Sequence, residues 1–184
     1  MAGEIKLNSV NFASESGGTI TVNNGTLGSG VVFPAGHVIQ VVNPAVSVET
    51  NSLTTSYVNY YEVSLTLKSS SSKVFIVHSF NYYISSGGFG QQIYRSTSTP
   101  VTTSDTVVFN SGASDGSGGP LQYYIGSSFY STATTQAVDD ISGQTAGDQL
   151  YYGFFYRAYS GTVNLPVNEV TDGFFATTLF EIQK

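Results

Sequence analysis

The chain contains no cysteine and no tryptophan, and only 10% of its 184 residues are charged. Without cysteine it can form neither disulfides nor thiolate metal sites. Its 6 lysines and arginines stand against 12 acidic residues, for a net charge of −6. Binding to a nucleic-acid backbone requires clustered cations. The small number of cationic residues therefore predicts that the protein does not bind nucleic acid.

The sequence also lacks long apolar runs and helical periodicity. No stretch approaches the roughly 20 apolar residues of a membrane-spanning helix, and Met1–Lys6 shows no apolar core of a signal peptide. We therefore expect synthesis in a cytoplasm, without insertion into a membrane. Because no segment combines the helical period with capping residues, no helix is predicted.

Aromatic side chains are what the sequence has in quantity, with 13 tyrosines and 12 phenylalanines. A chain with this much apolar surface and so little charge is expected to fold rather than to be disordered. Its length suits one domain, or one domain with an arm. Solubility then has to come from serine, threonine, asparagine and glycine instead of ions.

Alternation of apolar and polar residues marks the most distinct strand. Between Tyr57 and Leu67 the odd positions are apolar with one exception, which is typical of a strand with one buried face. Residues 74–77 are apolar on both faces, which predicts a strand covered on both sides. We predict that residues 57–84 form a hairpin with its turn at Ser69–Ser72, and that the rest of the core closes around it.

Further strands are predicted from short apolar patterns at 38–42, 91–95, 106–109, 121–125 with an extension at 129–130, 150–159 and 174–182. Strands at short spacing with glycine and serine turns indicate an all-β fold. The predicted fold is an antiparallel β-sandwich of the jelly-roll kind. We assign this domain to residues 37–184.

Residues 1–36 differ from the remainder and are predicted to form an extended N-terminal arm. Asn24–Gly25 lies between short alternating runs, which predicts a short hairpin. The segment has too little apolar content for a core of its own. We therefore expect the arm to become ordered by packing on something else, such as sister subunits.

Residues with catalytic chemistry are few, and their contexts argue against an active site. Gly112–Gly116 matches the G-x-S-x-G pattern of a nucleophile elbow, which needs a following helix and a later histidine. Both His37 and His78 precede it. His78 shares a strand face with Ile76 and Phe80, which predicts a core histidine held by a hydrogen bond. We predict no enzymatic activity, no metal site and no cofactor.

Three acidic residues, Asp139, Asp140 and Asp148, flank one predicted loop. Adjacent carboxylates in a loop are able to hold Ca²⁺, but the EF-hand spacing is absent. We expect solvated turn acids, and the sequence leaves open whether calcium binds near Asp139 and Asp140.

Glycine-rich stretches at 85–90 and 111–120 predict mobile loops, because glycine removes steric restraint. Binding groups tend to lie on loops that a rigid sheet carries. Phe89 lies in the first of these loops, and Gln91 and Tyr94 follow directly after it. We therefore predict Phe89, Gln91 and Tyr94 as ligand-binding residues.

The most aromatic strand, 150–159, carries rings on both faces. A two-layer sandwich buries only one face of a strand. The second face must then be covered by the arm, by loops or by another subunit, because large exposed apolar patches mark interfaces. The predicted subunit contacts are Tyr151, Phe155, Arg157 and Tyr159. For Arg157, an interface cation stacked on rings and a cation over aromatics at the domain's own surface are equally open.

Five stretches of the chain, taken in order, carry a resemblance to a known family. They are the opening VFPAGHVIQVV of 32–42, the serine-turn segment SLTLKSSSSKV of 64–74, the short strand Ile93–Arg95, the segment 149–163 and the terminal strand Thr177–Ile182. Together they resemble a domain widespread in tail-fibre-like virion proteins of marine and cyanobacterial bacteriophages. The resemblance covers about residues 31–184.

The resemblance implies a virion structural protein with a β-sandwich domain, assembled as a homotrimer. A fibre or fibre-tip protein of this kind touches the host surface, and a cell-surface glycan is the implied ligand. Many family members carry the domain after a longer tail-attachment region, whereas here only residues 1–36 precede it. The arm is then expected to bind other virion proteins, of the tail or of the capsid. Two alternatives stay open: a capsid-surface decoration or head-fibre protein, and a stand-alone carbohydrate-binding module.

Overall fold

The structure, a computed structural model, describes residues 4–7, 10–16, 19–22, 35–44, 51–111, 122–124, 128–165 and 175–184. The chain divides into two compact units, Met1–Phe33 and Pro34–Lys184. The predicted boundary after residue 36 lies close to this division. Within the described ranges every regular element is a β-strand, and no helix is long and apolar enough to cross a membrane.

The first unit contains three short strands: β1 (Glu4–Leu7), β2 (Val10–Ser16) and β3 (Thr19–Val22). They form an antiparallel sheet in the order β1-β2-β3. The first run of the hairpin predicted for the arm coincides with β3. The turn predicted at Asn24–Gly25 lies outside the described residues.

The described part of the second unit consists of strands that form two antiparallel sheets. The strands are β4 (Val38–Val42), β5 (Asn51–Ser52), β6 (Val58–Thr66), β7 (Ser72–Ile84), β8 (Gly87–Ser96), β9 (Thr106–Asn110), β10 (Gln122–Tyr124), β11 (Phe129–Asp139), β12 (Gln149–Ser160), β13 (Val163–Leu165) and β14 (Phe175–Gln183). Sheet I contains β6, β8, β9, β10 and β12, and sheet II contains β4, β5, β7, β11, β13 and β14. The predicted antiparallel β-sandwich is confirmed.

The order of the principal strands is that of a jelly roll. Sheet I runs β6-β12-β8-β9, and sheet II runs β4-β14-β7-β11. Along the chain β4 lies in sheet II, β6 in I, β7 in II, β8 and β9 in I, β11 in II, β12 in I and β14 in II. Nearly every connection between these strands therefore crosses from one sheet to the other, as in jelly rolls.

The predicted hairpin at 57–84 is wrong in its pairing. β6 pairs with β12, whereas β7 pairs with β11, β13 and β14. The two arms therefore lie in different sheets, and the four-serine turn between them is a corner of the sandwich. Alternation along a strand reports which face is buried, but it does not report which strand lies beside it.

A buried carboxylate holds this corner in place. Glu181 of β14 accepts hydrogen bonds from the backbone N–H of Lys68 at 3.0 Å and of Ser69 at 2.9 Å. It also accepts bonds from the Ser72 hydroxyl at 2.7 Å and the Gln40 amide at 2.6 Å. Because backbone donors that have no partner in a strand ladder need another acceptor, a residue of the last strand fixes a corner made more than one hundred residues earlier.

Each sheet has one inner and one outer face. β6 buries Val63 and Leu65 of the predicted apolar face. Tyr57, at the start of the same predicted face, instead stacks on Arg157 at the outer surface, because the pairing of β6 with β12 shifts register next to Asn59. In β7 the buried Val74 and Ile76 alternate with half-buried Phe75 and Val77. Within one chain the second face of β7 is therefore only half-buried and not covered as predicted, because a two-layer sandwich gives each strand a single inner face.

Sequence reasoning missed most of β11. The predicted extension is limited to Phe129–Tyr130, whereas the strand continues to Asp139. Its inward positions Thr135, Ala137 and Asp139 are buried, but they are small or polar. Such residues produce no apolar alternation, so the pattern that marks a strand is absent from this segment.

Candidate functional site

The four predicted interface residues of β12 all lie on the outer face of sheet I. Tyr151, Phe155, Arg157 and Tyr159 occupy odd positions, and fully buried rings such as Tyr156 occupy even ones. Tyr151, Arg157 and Tyr159 are half-buried, whereas Phe155 is only 4% exposed. Something therefore covers the middle of this aromatic face.

The cover is a loop of the same chain, residues 97–105, between β8 and β9. Val101 of this loop packs against Tyr94 and Phe155. The rings of Tyr94 and Phe155 lie 5.1 Å apart in an edge-to-face arrangement. The arm, loops and another subunit were the possible covers of this face, and a loop covers Phe155. The prediction of Phe155 as a subunit contact is therefore wrong.

Two carboxylates hold this loop. Glu62 accepts hydrogen bonds from the backbone N–H of Val101 and from the Thr99 hydroxyl, both at 2.7 Å. Asp105 accepts a bond from the backbone N–H of Thr102 at 2.7 Å, which is the main cause that lowers the pKa of Asp105. Because charge-assisted bonds hold the loop at two points, it forms a fixed wall on the sheet.

Beside this wall, Arg157 lies between two tyrosines. Its guanidinium carbon is 4.7 Å from the ring centroid of Tyr57 and 4.4 Å from that of Tyr159, within the range of cation–π attraction. The neighbouring Tyr159 hydroxyl is the main cause that raises the pKa of Arg157, and burial raises the pKa of Tyr57. The geometry matches a cation over aromatics at the domain's own surface.

Gly90 of β8 makes this stack possible. A Cβ atom at this position would lie 2.6 Å from Tyr57 Oη and 3.0 Å from Tyr159 Oη, so a larger residue would push the rings off the sheet. The mobile loop predicted at 85–90 is wrong from Gly87 onward, where β8 begins. The second predicted loop lies, from residue 112 to residue 120, outside the described residues.

The loop, the stack and the sheet surround an open depression of about 450 Å³, which we call the Arg157 depression. It is lined by Thr55, Ser56, Tyr57, Gln92, Tyr94, Thr103 and Arg157. The Tyr94 hydroxyl donates to Gln92 Oε1 at 2.8 Å, which fixes both side chains. Rings beside hydroxyl, amide and guanidinium groups suit a ligand that offers both C–H faces and hydroxyls, as a sugar does.

The structure separates the three predicted ligand-binding residues. Tyr94 lines the Arg157 depression, whereas Phe89 and Gln91 are fully buried on the inner face of sheet I. The predictions for Phe89 and Gln91 are wrong because each lies an odd number of positions from Tyr94 on one strand. Sequence reasoning missed Gln92, although its place two residues before Tyr94 puts both on the same face.

Gln91 belongs instead to a buried chain of polar groups that joins the two sheets. His78 Nδ1 lies 2.7 Å from Thr177 Oγ1, and His78 Nε2 lies 2.5 Å from Tyr156 Oη. Gln91 donates to Tyr156 Oη at 2.9 Å and accepts from Thr135 Oγ1 at 2.5 Å. The predicted core histidine held by hydrogen bonds is confirmed. Burial lowers the pKa of His78 to about 3, so its ring is neutral.

A second buried cluster joins the sheets through Asp139. Arg95 Nη1 lies 2.8 Å from Asp139 Oδ1, and the Tyr152 hydroxyl donates to Asp139 Oδ2 at 2.9 Å. The prediction of a solvated turn acid is wrong for Asp139, which is 5% exposed. Asp140 is exposed and pairs with Lys184. Asp139 and Asp140 therefore pair with different cations. The described residues contain no group of three or more potential metal ligands.

Comparisons of the chain with models of protein families, with curated proteins and with solved structures find no match. The likeness to phage fibre domains therefore stays a resemblance carried by the five stretches named above. Function has to be inferred from that resemblance, from the fold and from the Arg157 depression.

Proposed function

We propose that this chain is a structural protein of a bacteriophage particle and that it binds a host-surface glycan in the Arg157 depression. The role is one of binding, without enzymatic activity. The observation that carries the proposal is the depression itself, which combines fixed rings, hydroxyls, an amide and a cation on a rigid sheet.

The build of the depression supports a glycan as the ligand. Its floor is β-sheet, one wall is the clamped 97–105 loop, and another is the Arg157 stack. A site whose groups are already in place loses little conformational entropy when a ligand binds. Tyrosines supply large contact areas with few rotatable bonds, while the hydroxyl and amide groups supply direction.

Particle association is supported by the resemblance and by the fold. The resemblance covers about residues 31–184, and the fold of the second unit is a jelly roll, an architecture found in viral capsid and lectin domains. This second link is an analogy of fold only. We place the chain at a fibre or fibre tip, as a homotrimer attached through its N-terminal segment to other virion proteins. A capsid-surface protein and a stand-alone carbohydrate-binding module are the alternatives.

Substitution of Tyr57 by alanine is expected to weaken glycan binding by about 10- to 100-fold, as truncation of an aromatic contact residue does. A glycan array with the full chain would identify the ligand, and titration calorimetry would measure the affinity. Tyr151→Ala is the matched control, since Tyr151 is also a half-buried tyrosine of this outer face but does not line the depression. Equal losses in both variants would contradict the assignment of the site.

Mass spectrometry of purified particles is expected to detect the chain, and a variant lacking residues 1–30 should be missing from them. The sandwich lies in a separate compact unit, Pro34–Lys184, so the truncated chain should still fold. Circular dichroism of the purified variant checks this. A truncated chain that enters particles normally would refute attachment through this segment. A chain that binds glycan but is absent from particles would instead identify a stand-alone module.

A further inference from the structure

The outer face of sheet II carries an apolar row that crosses four strands. Val41 of β4 lies opposite Phe180 of β14, Phe180 lies opposite Phe75 of β7, and Phe75 lies opposite Val138 of β11. The two phenylalanine rings lie 6.0 Å apart and are half-buried. Val41 and Val138, at the two ends of this apolar row, are 55% and 57% exposed.

The outward rows on either side of the apolar row mix polar and apolar side chains. Toward one end of the strands the next row holds Thr178, Val77 and Gln136. Toward the other end it holds Val38, Ile182 and Lys73, and the exposed pair of Lys184 with Asp140 lies at that end too. A face that combines apolar side chains at its centre with scattered polar groups is typical of a protein–protein interface. A single exposed valine would need no partner, but four adjacent apolar side chains form a patch.

We infer that copies of this chain associate through the outer face of sheet II, with the apolar row at the centre of the contact. The inference deepens the proposed function and takes from it only the stoichiometry of three. Four strands at a spacing of about 4.8 Å span about 19 Å, and nine paired residues of β14 and β7 span about 30 Å. The flat area of this face is thus about 600 Å² per copy, and protruding side chains add to it. Standard interfaces bury roughly 800 Å² per partner.

The symmetry of the apolar row favours a second copy as the occupant. The row reads valine, ring, ring, valine from either edge, so each edge of one copy presents a valine to the edge of the next copy. Three such faces arranged as a triangular prism with sides of about 19 Å place each sheet about 5.5 Å from the axis, about half the spacing of stacked sheets. The rings then meet at the axis, and Val41 of one copy meets Val138 of the next.

The inference is tested by placing cations in the contact. The full chain is expected to be trimeric in light scattering at micromolar concentration, and V41K/V138K should weaken association by about 100-fold or more. Both valines are largely exposed within one chain, so the lysines should affect folding little. In the assembly, by contrast, each lysine would be an unpaired charge removed from water.

Val107→Lys is the matched control, because Val107 is also 55% exposed but lies on β9 of sheet I. Its mass in solution should equal that of the wild type, and thermal unfolding checks the fold of both variants. A monomeric wild type, a V41K/V138K trimer as stable as the wild type, or equal dissociation of both variants would overturn the inference. A dimer that only V41K/V138K dissociates would support this face and refute the stoichiometry of three. Glycan binding and particle incorporation are measured separately from oligomeric state. Failure of the inferred subunit contact can therefore be distinguished from failure of the proposed function.

Discussion

Substitution of Asp139 by alanine is expected to lower the free energy of unfolding by about 3–5 kcal/mol, the usual cost of removing one partner of a buried ion pair. The Arg95 guanidinium would stay buried in the sandwich without its carboxylate 2.8 Å away. The Tyr152 hydroxyl would lose its acceptor at the same time. Urea denaturation of the purified chain would measure the change.

A double-mutant cycle supplies the control for this prediction. The cycle consists of Asp139→Ala, Arg95→Met and the double variant Arg95→Met/Asp139→Ala. Removal of both charges in the double variant should recover much of the loss, because no unpaired charge then remains inside the protein. A single variant that costs less than about 1 kcal/mol would show that water or a rearranged neighbour satisfies Arg95. A double variant that costs as much as both single variants together would show that the ion pair is not coupled.

Acidification is expected to destabilise the fold between pH 6.5 and about 3 through His78. Burial lowers the pKa of His78 from 6.5 to about 3, so the folded state binds fewer protons than the unfolded state in this range. Stability contributed by the neutral ring is therefore complete above pH 6.5 and is lost as the pH falls. The loss is about 1.4 kcal/mol per pH unit, or about 4–5 kcal/mol in total.

His78→Gln separates this effect from the titration of carboxylates. Glutamine can still hydrogen-bond toward Tyr156, which lies 2.5 Å from the His78 ring nitrogen, but it does not titrate. Its stability should be lower at neutral pH and should fall less steeply below pH 6.5. Chemical denaturation at a series of pH values measures both slopes. Parallel profiles of the two proteins would refute a role for His78 in the acid response.

The strand positions could be predicted from the sequence. β4 is observed where it was predicted, and β12 and β14 differ from their predictions by one residue at each end. These strands have one face in the core and the other outside it. Apolar side chains therefore recur at every second position of the sequence. β11 could not be found in this way because its inward residues are small or polar.

The strand partners could not be predicted. β6 and β7 are adjacent in sequence and separated by a serine turn, yet they lie in different sheets. The turn becomes a corner because Glu181, more than one hundred residues later, accepts its hydrogen bonds. No local pattern records such a contact.

The candidate site was only partly visible in the sequence. Tyr94 and Arg157 are functional candidates of the sequence, but the Arg157 depression also needs Gln92, which lies beside Tyr94 on β8, and Tyr57 and Thr103 from other segments. The glycines of 87–90 predict a loop because glycine removes steric restraint. At Gly87 a Cβ atom would lie 2.0 Å from the Ser160 carbonyl oxygen, so this position requires glycine within a strand, and at Gly90 the absence of a side chain leaves room for the tyrosine rings.

The sequence by itself determined that this protein is an all-β sandwich with a core histidine and strands at known positions. The tertiary structure decided which strands are neighbours, that Asp139 is an interior partner of Arg95, and that Phe155 lies under its own loop. Burial of alternate side chains depends on the local order of residues, so a short stretch of sequence reveals it. Residues far apart in the chain form the strand pairs, the ion pair and the contact of the loop with Phe155. Only the complete tertiary structure brings these residues together.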